Sequence, residues 1–127
     1  MSSFIQTKIS IGEYYDKLSI LYIKKEWIND TSKLKFIERE INELGKDLQR
    51  ASLSLNVDML KELINVNKSI WKTEDKLRNL VNSDEKFAKA AHDNAKFNDL
   101  RFVIKQKINK EYDSTLQEQK SYEHLGS

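Results

Sequence analysis

Apolar residues recur at intervals of three and four along most of this chain, the repeat of amphipathic helices. The first stripe is Ile11, Tyr14, Leu18, Leu21 and Ile28, with Lys25 as its one polar position. Ser10 precedes it and Glu13 follows three residues later, the spacing of a capping box, with Ile9 and Tyr14 placed as a hydrophobic staple. Asn29 to Ser32 supply a turn and the next cap. The second stripe, Leu34, Ile37, Ile41, Leu44, Leu48, Ala51 and Leu55, is a strict seven-residue repeat of the kind that packs at a shallow angle. Gly45 lies just off this seam. A mid-helix glycine costs only about 1 kcal/mol, so a continuous helix is expected through it.

The third stripe is Leu60, Leu63, Ile70, Leu77 and Val81, interrupted by Thr73 and Glu74. Asn82 and Ser83, with Glu85 beyond, read as the cap of the fourth segment. Its stripe is Phe87, Ala90, Ala91, Asn94, Ala95, Phe97, Arg101, Ile104, Ile108 and Tyr112. The pattern predicts one helical domain over 1–127, with helices near 10–28, 32–54, 57–81 and 83–113. Residues 1–8 are expected to be extended and 114–127 to form a tail.

Short connections make consecutive helices antiparallel. A turn near residue 31 then brings Ile28 opposite Leu34, Leu21 opposite Ile41, Leu18 opposite Leu44 and Tyr14 opposite Leu48. The same counting sets Leu48 against Leu63, Ile41 against Ile70 and Leu34 against Leu77. It sets Trp71 against Ala95, and leaves the end of the fourth helix overhanging. The expected architecture is all-α: an antiparallel four-helix bundle, or paired helical hairpins with coiled-coil-like packing.

Composition agrees with long helices. The 127 residues include 3 glycines and no proline, and charged residues make up 33%. With 22 basic and 20 acidic residues intermixed, net charge is only +2, and no run suggests a nucleic-acid tail or polybasic anchor. The absence of cysteine excludes disulfides, zinc ribbons, iron–sulfur sites and cysteine nucleophiles. MSSFIQTKIS lacks the make-up of a signal peptide, and no apolar run approaches the ~18 residues of a membrane span, so a soluble, cytoplasmic protein is expected.

Candidate chemistry rests on polar residues that interrupt the stripes. Counting places Lys25, Glu74 and His92 at one level, a polar layer that Arg78 could touch from one turn away. Asn67, Asn94, Asn98 and Arg101 make a second polar group. Two readings are open: register-setting contacts between helices, or a small anion-binding or acid–base cleft. No glutamate has histidine three residues on, so a di-iron bundle is excluded, and two histidines without cysteine argue against zinc. Three scattered glycines form no phosphate loop, and no G-x-S-x-G occurs. No metal or other cofactor is expected. Trp27, Trp71, Phe87 and Phe97 fall on helical spacing and suit packing better than base stacking; Trp27, beside its stripe, is the better exposed contact.

SIGEYYDKLSILYIKKEWI followed by DTSKLKFIEREINEL resembles the opening of an uncharacterised family of small helical proteins from bacteria and marine bacteriophages. Some members are fused to glycosyltransferase-type or repeat domains. VNKSIWKTEDKLR, KFNDLRFVIKQKIN and QEQKSY continue the resemblance over most of the chain. The family's fourth segment carries a more basic ND-x-R stretch, matched here by Asn98, Asp99 and Arg101. The resemblance implies no activity. It directs interest to Glu13, Asp16, Lys17, Asn67, Trp71, Glu74, Asp75, Arg78, Asn98, Asp99, Arg101 and to Lys120, Ser121 and Tyr122, which argue against a simply disordered tail.

The leading expectation is a non-enzymatic interaction or scaffold module that self-associates; the resemblance allows it to be phage-encoded and to act in the host cytoplasm. The alternative is an accessory domain binding an anionic small molecule, such as a sugar nucleotide, through Asn67, Trp71, Glu74, Arg78, Asn98 and Arg101. A nucleic-acid binder using Lys105, Lys107 and Lys110 is a third reading, disfavoured by near-neutral charge. No membrane partner is expected.

Overall fold

Among the described residues the fold consists of four helices, α1 (Ile11–Trp27), α2 (Thr31–Arg50), α3 (Val57–Asn79) and α4 (Asp84–Glu111). The computed structural model describes residues 3–80 and 84–113. The proposed Asn82–Ser83 cap and the 114–127 tail, with its Lys120, Ser121 and Tyr122, lie outside the described residues.

The starts of α1, α2 and α3 each have a local cause. The Ser10 hydroxyl accepts from the Glu13 backbone N–H at 3.0 Å, which satisfies one of the free donors of the first turn. The Glu13 side chain does not complete the box; it reaches across to Lys105 instead. Asp30 caps α2 through Ser32 and Lys33, and Asn56 caps α3 through Met59.

α2 runs unbroken through Gly45, as the periodicity requires. It stops at Arg50, short of the expected end near residue 54. Ser52 turns left-handed, with φ 57°, and the Leu53 N–H bonds back to the Leu48 carbonyl. That closes the helix in the manner usual for a left-handed C-terminal residue.

α1 is the centre of the structure. Gly12, Tyr14, Tyr15, Asp16, Leu18, Ser19, Leu21 and Ile23 are all buried, while Lys17, Lys25, Glu26 and Trp27 face solvent. It carries two stripes: the apolar one read from the sequence, and a second of small and polar residues at Gly12, Asp16 and Ser19. α3 runs parallel to α1, because Asp16 pairs with Asn67 while Trp27 meets Trp71. α4 runs antiparallel, pairing Gly12 with Asn109, Glu13 with Lys105 and Asp16 with Arg101. Tyr15, Ile23, Leu63 and Ile108 are fully buried, each contributing about 1.5–3 kcal/mol.

The expected pairing of α2 with α3 does not occur. Among the described residues α2 packs closely on α1 alone, whereas α1, α3 and α4 all pack on one another. Counting along helices sets height, but it does not choose the flank on which the next helix returns. The connection after Ser52 crosses the start of α1, where Asn56 N–H donates to the Tyr15 hydroxyl at 2.8 Å, and α3 descends on another flank. Side chains of Ile41, Leu44 and Leu48 still reach the edge of the core that Leu18, Leu63 and Ile104 share. Nor does the end of α4 overhang: Lys105, Ile108 and Asn109 are buried there, because the first turn of α1 covers them.

Two glycines set opposite limits. A Cβ on Gly12 would lie 2.6 Å from the Lys105 carbonyl oxygen, so α1 and α4 approach as closely as backbones allow. A Cβ on Gly45 meets nothing within 4 Å. Gly12→Ala is therefore expected to destabilise the fold by about 1–3 kcal/mol through overpacking. Gly45→Ala should stabilise it by roughly 0.5–1 kcal/mol through helix propensity. Urea unfolding of both variants checks the pair, and equal signs would contradict this packing.

Candidate functional site

The buried chemistry converges on Asp16, which is 1% exposed. Its Oδ1 accepts from Asn67 Nδ2 at 2.9 Å and from Arg101 Nε at 3.0 Å. Its Oδ2 accepts from the Arg101 terminal nitrogen, completing a two-pronged guanidinium–carboxylate pair. The ammonium of Lys105 lies 3.9 Å from the same oxygen and donates to Glu13 at 2.7 Å. Ser19 accepts from Asn67 at 2.7 Å and donates to the Asp16 backbone carbonyl at 2.6 Å. Asn109, one turn beyond Lys105, receives the Gly12 N–H at 2.6 Å. Three helices thus close a layer around one carboxylate. Among the described residues no buried side-chain nitrogen or oxygen lacks a partner.

One turn or two along α4 is a smaller polar step. Asn98 donates to Asn94, Asn94 donates to Thr73 at 2.8 Å, and Thr73 returns its hydroxyl to the Ser69 and Ile70 carbonyls. The second polar group read from the sequence is therefore split. Asn67 and Arg101 meet on Asp16, whereas Asn94 and Asn98 serve Thr73.

The layer of Lys25, Glu74 and His92 is not assembled. All three are exposed, and no hydrogen bond or ion pair joins them. Each stands one or two residues from a buried position: Glu74 after Thr73, His92 after Ala90, Lys25 after Ile23. At about 100° per residue, that offset turns a side chain out of the interior without changing its height. Arg78 pairs with Asp75 on the surface. Trp71 packs edge-on against Trp27, ring centres 5.3 Å apart, beside Lys68 and its partner Glu26. Of the lysines considered for nucleic acid, Lys105 is buried while Lys107 and Lys110 are exposed, so no common basic surface forms from them.

A third polar group links the start of α1 to the end of α4. Tyr112 must donate its one proton to the Ser54 carbonyl, at 2.7 Å, because a carbonyl only accepts. The proton between the two phenols is then supplied by Tyr15, which in turn accepts from Asn56 N–H at 2.8 Å. Beside this chain lies a shallow hollow of about 480 Å³ lined by Ser54, Leu55, Asn56, Glu111 and Tyr112. Burial pushes the Tyr15 hydroxyl up from its ordinary value, with the Tyr112 bond adding and the Asn56 N–H opposing. Burial likewise raises Tyr14, helped by the charge of Asp47.

Asp16 stands two residues from both Tyr14 and Leu18 of the apolar stripe, so periodicity passed over it; only the family resemblance pointed to it. The findable signal is the second three-four repeat, Gly12–Asp16–Ser19–Ile23, in which small and polar types replace apolar ones. Among the described residues no group of three metal-ligating side chains gathers, and no helix is long and apolar enough to cross a membrane. Comparison with protein-family models, with curated proteins and with solved structures yields no match.

Arg101→Ala leaves a buried carboxylate without its fork and is expected to cost about 3–5 kcal/mol. Glu74→Ala should change stability by less than about 0.5 kcal/mol. Chemical denaturation of both variants distinguishes the Asp16 layer from the Glu74 level. The tyrosines give a pH signature. The folded state holds both phenol protons more tightly than the unfolded state, whose ordinary value is 10.0. Their contribution is complete below pH 10 and falls as pH rises beyond it. Melting temperature measured from pH 8 to 12 should decline above that point, and less steeply in Tyr15→Phe.

Proposed function

We propose that this chain is a non-catalytic helical interaction module that pairs with a second copy through α2. The observation carrying this reading is the one-sided packing of α2. Only Ile37 of its side chains is buried, while Leu34, Ile41, Leu44 and Leu48 of the seam are half covered. Phe36 stands 66% exposed under the guanidinium of Arg39. A seven-residue apolar repeat with one partner has the pattern of a helix that takes another. Its flanks mix both charges (Lys33, Glu38, Arg39, Glu40, Glu43, Lys46), so an identical helix meets neither a wall of like charge nor a demand for an oppositely charged partner.

The anion-binding alternative loses its donors to the fold. Asn67 and Arg101, the groups best suited to a phosphate or carboxylate, are already held by Asp16. A ligand would have to displace a buried internal carboxylate, whose own negative charge repels it. The resemblance to an uncharacterised bacterial and phage family without assigned activity is compatible with a module of this kind.

Light scattering between about 5 and 500 µM should show a monomer converting to a dimer. The double variant Leu34→Gln, Phe36→Gln should remain monomeric over that range with its helix content intact. A wild-type chain that stays monomeric throughout removes this reading. Thermal stabilisation by millimolar sugar nucleotides would favour the anion-binding alternative instead.

A further inference from the structure

Residues 3–9 form an arm ahead of α1 with no helix or strand, and all of them are exposed. Phe4 is 77% exposed and Ile5 91%. None of these residues enters a hydrogen bond among the described residues. Ile5, Thr7 and Ile9 alternate with Gln6 and Lys8, so an extended backbone presents the three on one side. An apolar arm held out in water is unfavourable unless something covers it.

α2 offers a surface of matching length. Seven extended residues span about 23 Å at ~3.3 Å each. From Leu34 to Leu48 the seam spans about 21 Å at 1.5 Å per residue. Gly45 makes a gap in that surface, open to solvent where a side chain would stand. Its walls are Ile41 and Leu48, one turn before and one turn after, both half covered. Nothing in the chain's own packing requires a glycine there. A bare position with apolar walls suits an inserted apolar side chain.

Area supplies the remaining argument. A strip along α2, roughly 30 Å by 10 Å, offers on the order of 300 Å² per partner, whereas a stable dimer buries about 800 Å². One buried phenylalanine covers 150–250 Å². We infer that the arm is exchanged: in a two-fold dimer each arm lies along the α2 seam of the other copy, with Ile5 in the gap at Gly45. Two arms and two seams then match reciprocally, as an isologous interface demands. The inference rests on the reading of α2 as the self-association surface.

The chain lacks cysteine, so introduced thiols report cleanly. Equal amounts of Ile5→Cys and Gly45→Cys proteins, mixed at about 200 µM and mildly oxidised, should give a mixed disulfide of twice the chain mass. Gly45→Leu, which fills the gap, should weaken dimerisation at least tenfold in sedimentation while the diluted chain keeps its helix content. A dimer of unchanged affinity in Phe4→Asp, Ile5→Asp, with no mixed disulfide, overturns arm exchange and leaves the α2 reading standing. An intrachain disulfide at monomer mass in the Ile5→Cys, Gly45→Cys double variant overturns it in favour of the arm folding back. A monomeric wild-type chain removes the α2 reading itself.

Discussion

A carboxylate buried in the middle of a helix bundle governs this structure. Moving an ionised aspartate out of water costs several kcal/mol even after relaxation, so Asp16 is tolerable only with its partners in place. Asn67 comes from α3, and Arg101 and Lys105 come from α4. If either helix slid by one turn, the charge would lose its donors. Three helices are thereby locked in height and rotation by a requirement that apolar packing, which is non-directional, does not impose. The close backbone approach at Gly12 follows from the same demand, since Lys105 and Asn109 must lie near α1 to reach it.

That lock explains the asymmetry of the molecule. α1 gives its small and polar stripe to α3 and α4 and its apolar stripe to the rest of the core, so it is surrounded. α2 has no polar tie to the layer and is fastened by apolar contact and by the Tyr14 hydroxyl, which donates to the Leu44 carbonyl. Stability is therefore graded, with a specified three-helix unit and a more loosely attached fourth helix.

Much of the architecture was legible before any coordinates. The caps at Ser10 and in the NDTS turn, the unbroken run through Gly45 and the antiparallel sense of α3 and α4 follow from local chemistry and periodicity. Thr73 facing Asn94 agrees with the counted register of that pair. The candidate site was legible only in part. Asn67 and Arg101 were picked out because polar residues on an apolar stripe must find partners. Their shared partner was hidden, because Asp16 lies on a stripe that contains almost no apolar residues. Lys25, Glu74 and His92 were set at one level by counting, yet all three side chains face solvent. One residue of offset is invisible to counting and decisive for contact.

The sequence by itself determined the helices, the starts of α1, α2 and α3, and the register of α3 against α4, because these depend on hydrogen bonds and periodicities close along the chain. Only the tertiary structure decided which flank of α1 each helix occupies, which polar residues are interior, and that α2 keeps a half-open face. Those choices depend on rotation about helix axes and on the path of a short connection past Tyr15. There, the Asn56 N–H meets the hydroxyl of Tyr15, a residue far away in the chain, and no local periodicity encodes that meeting.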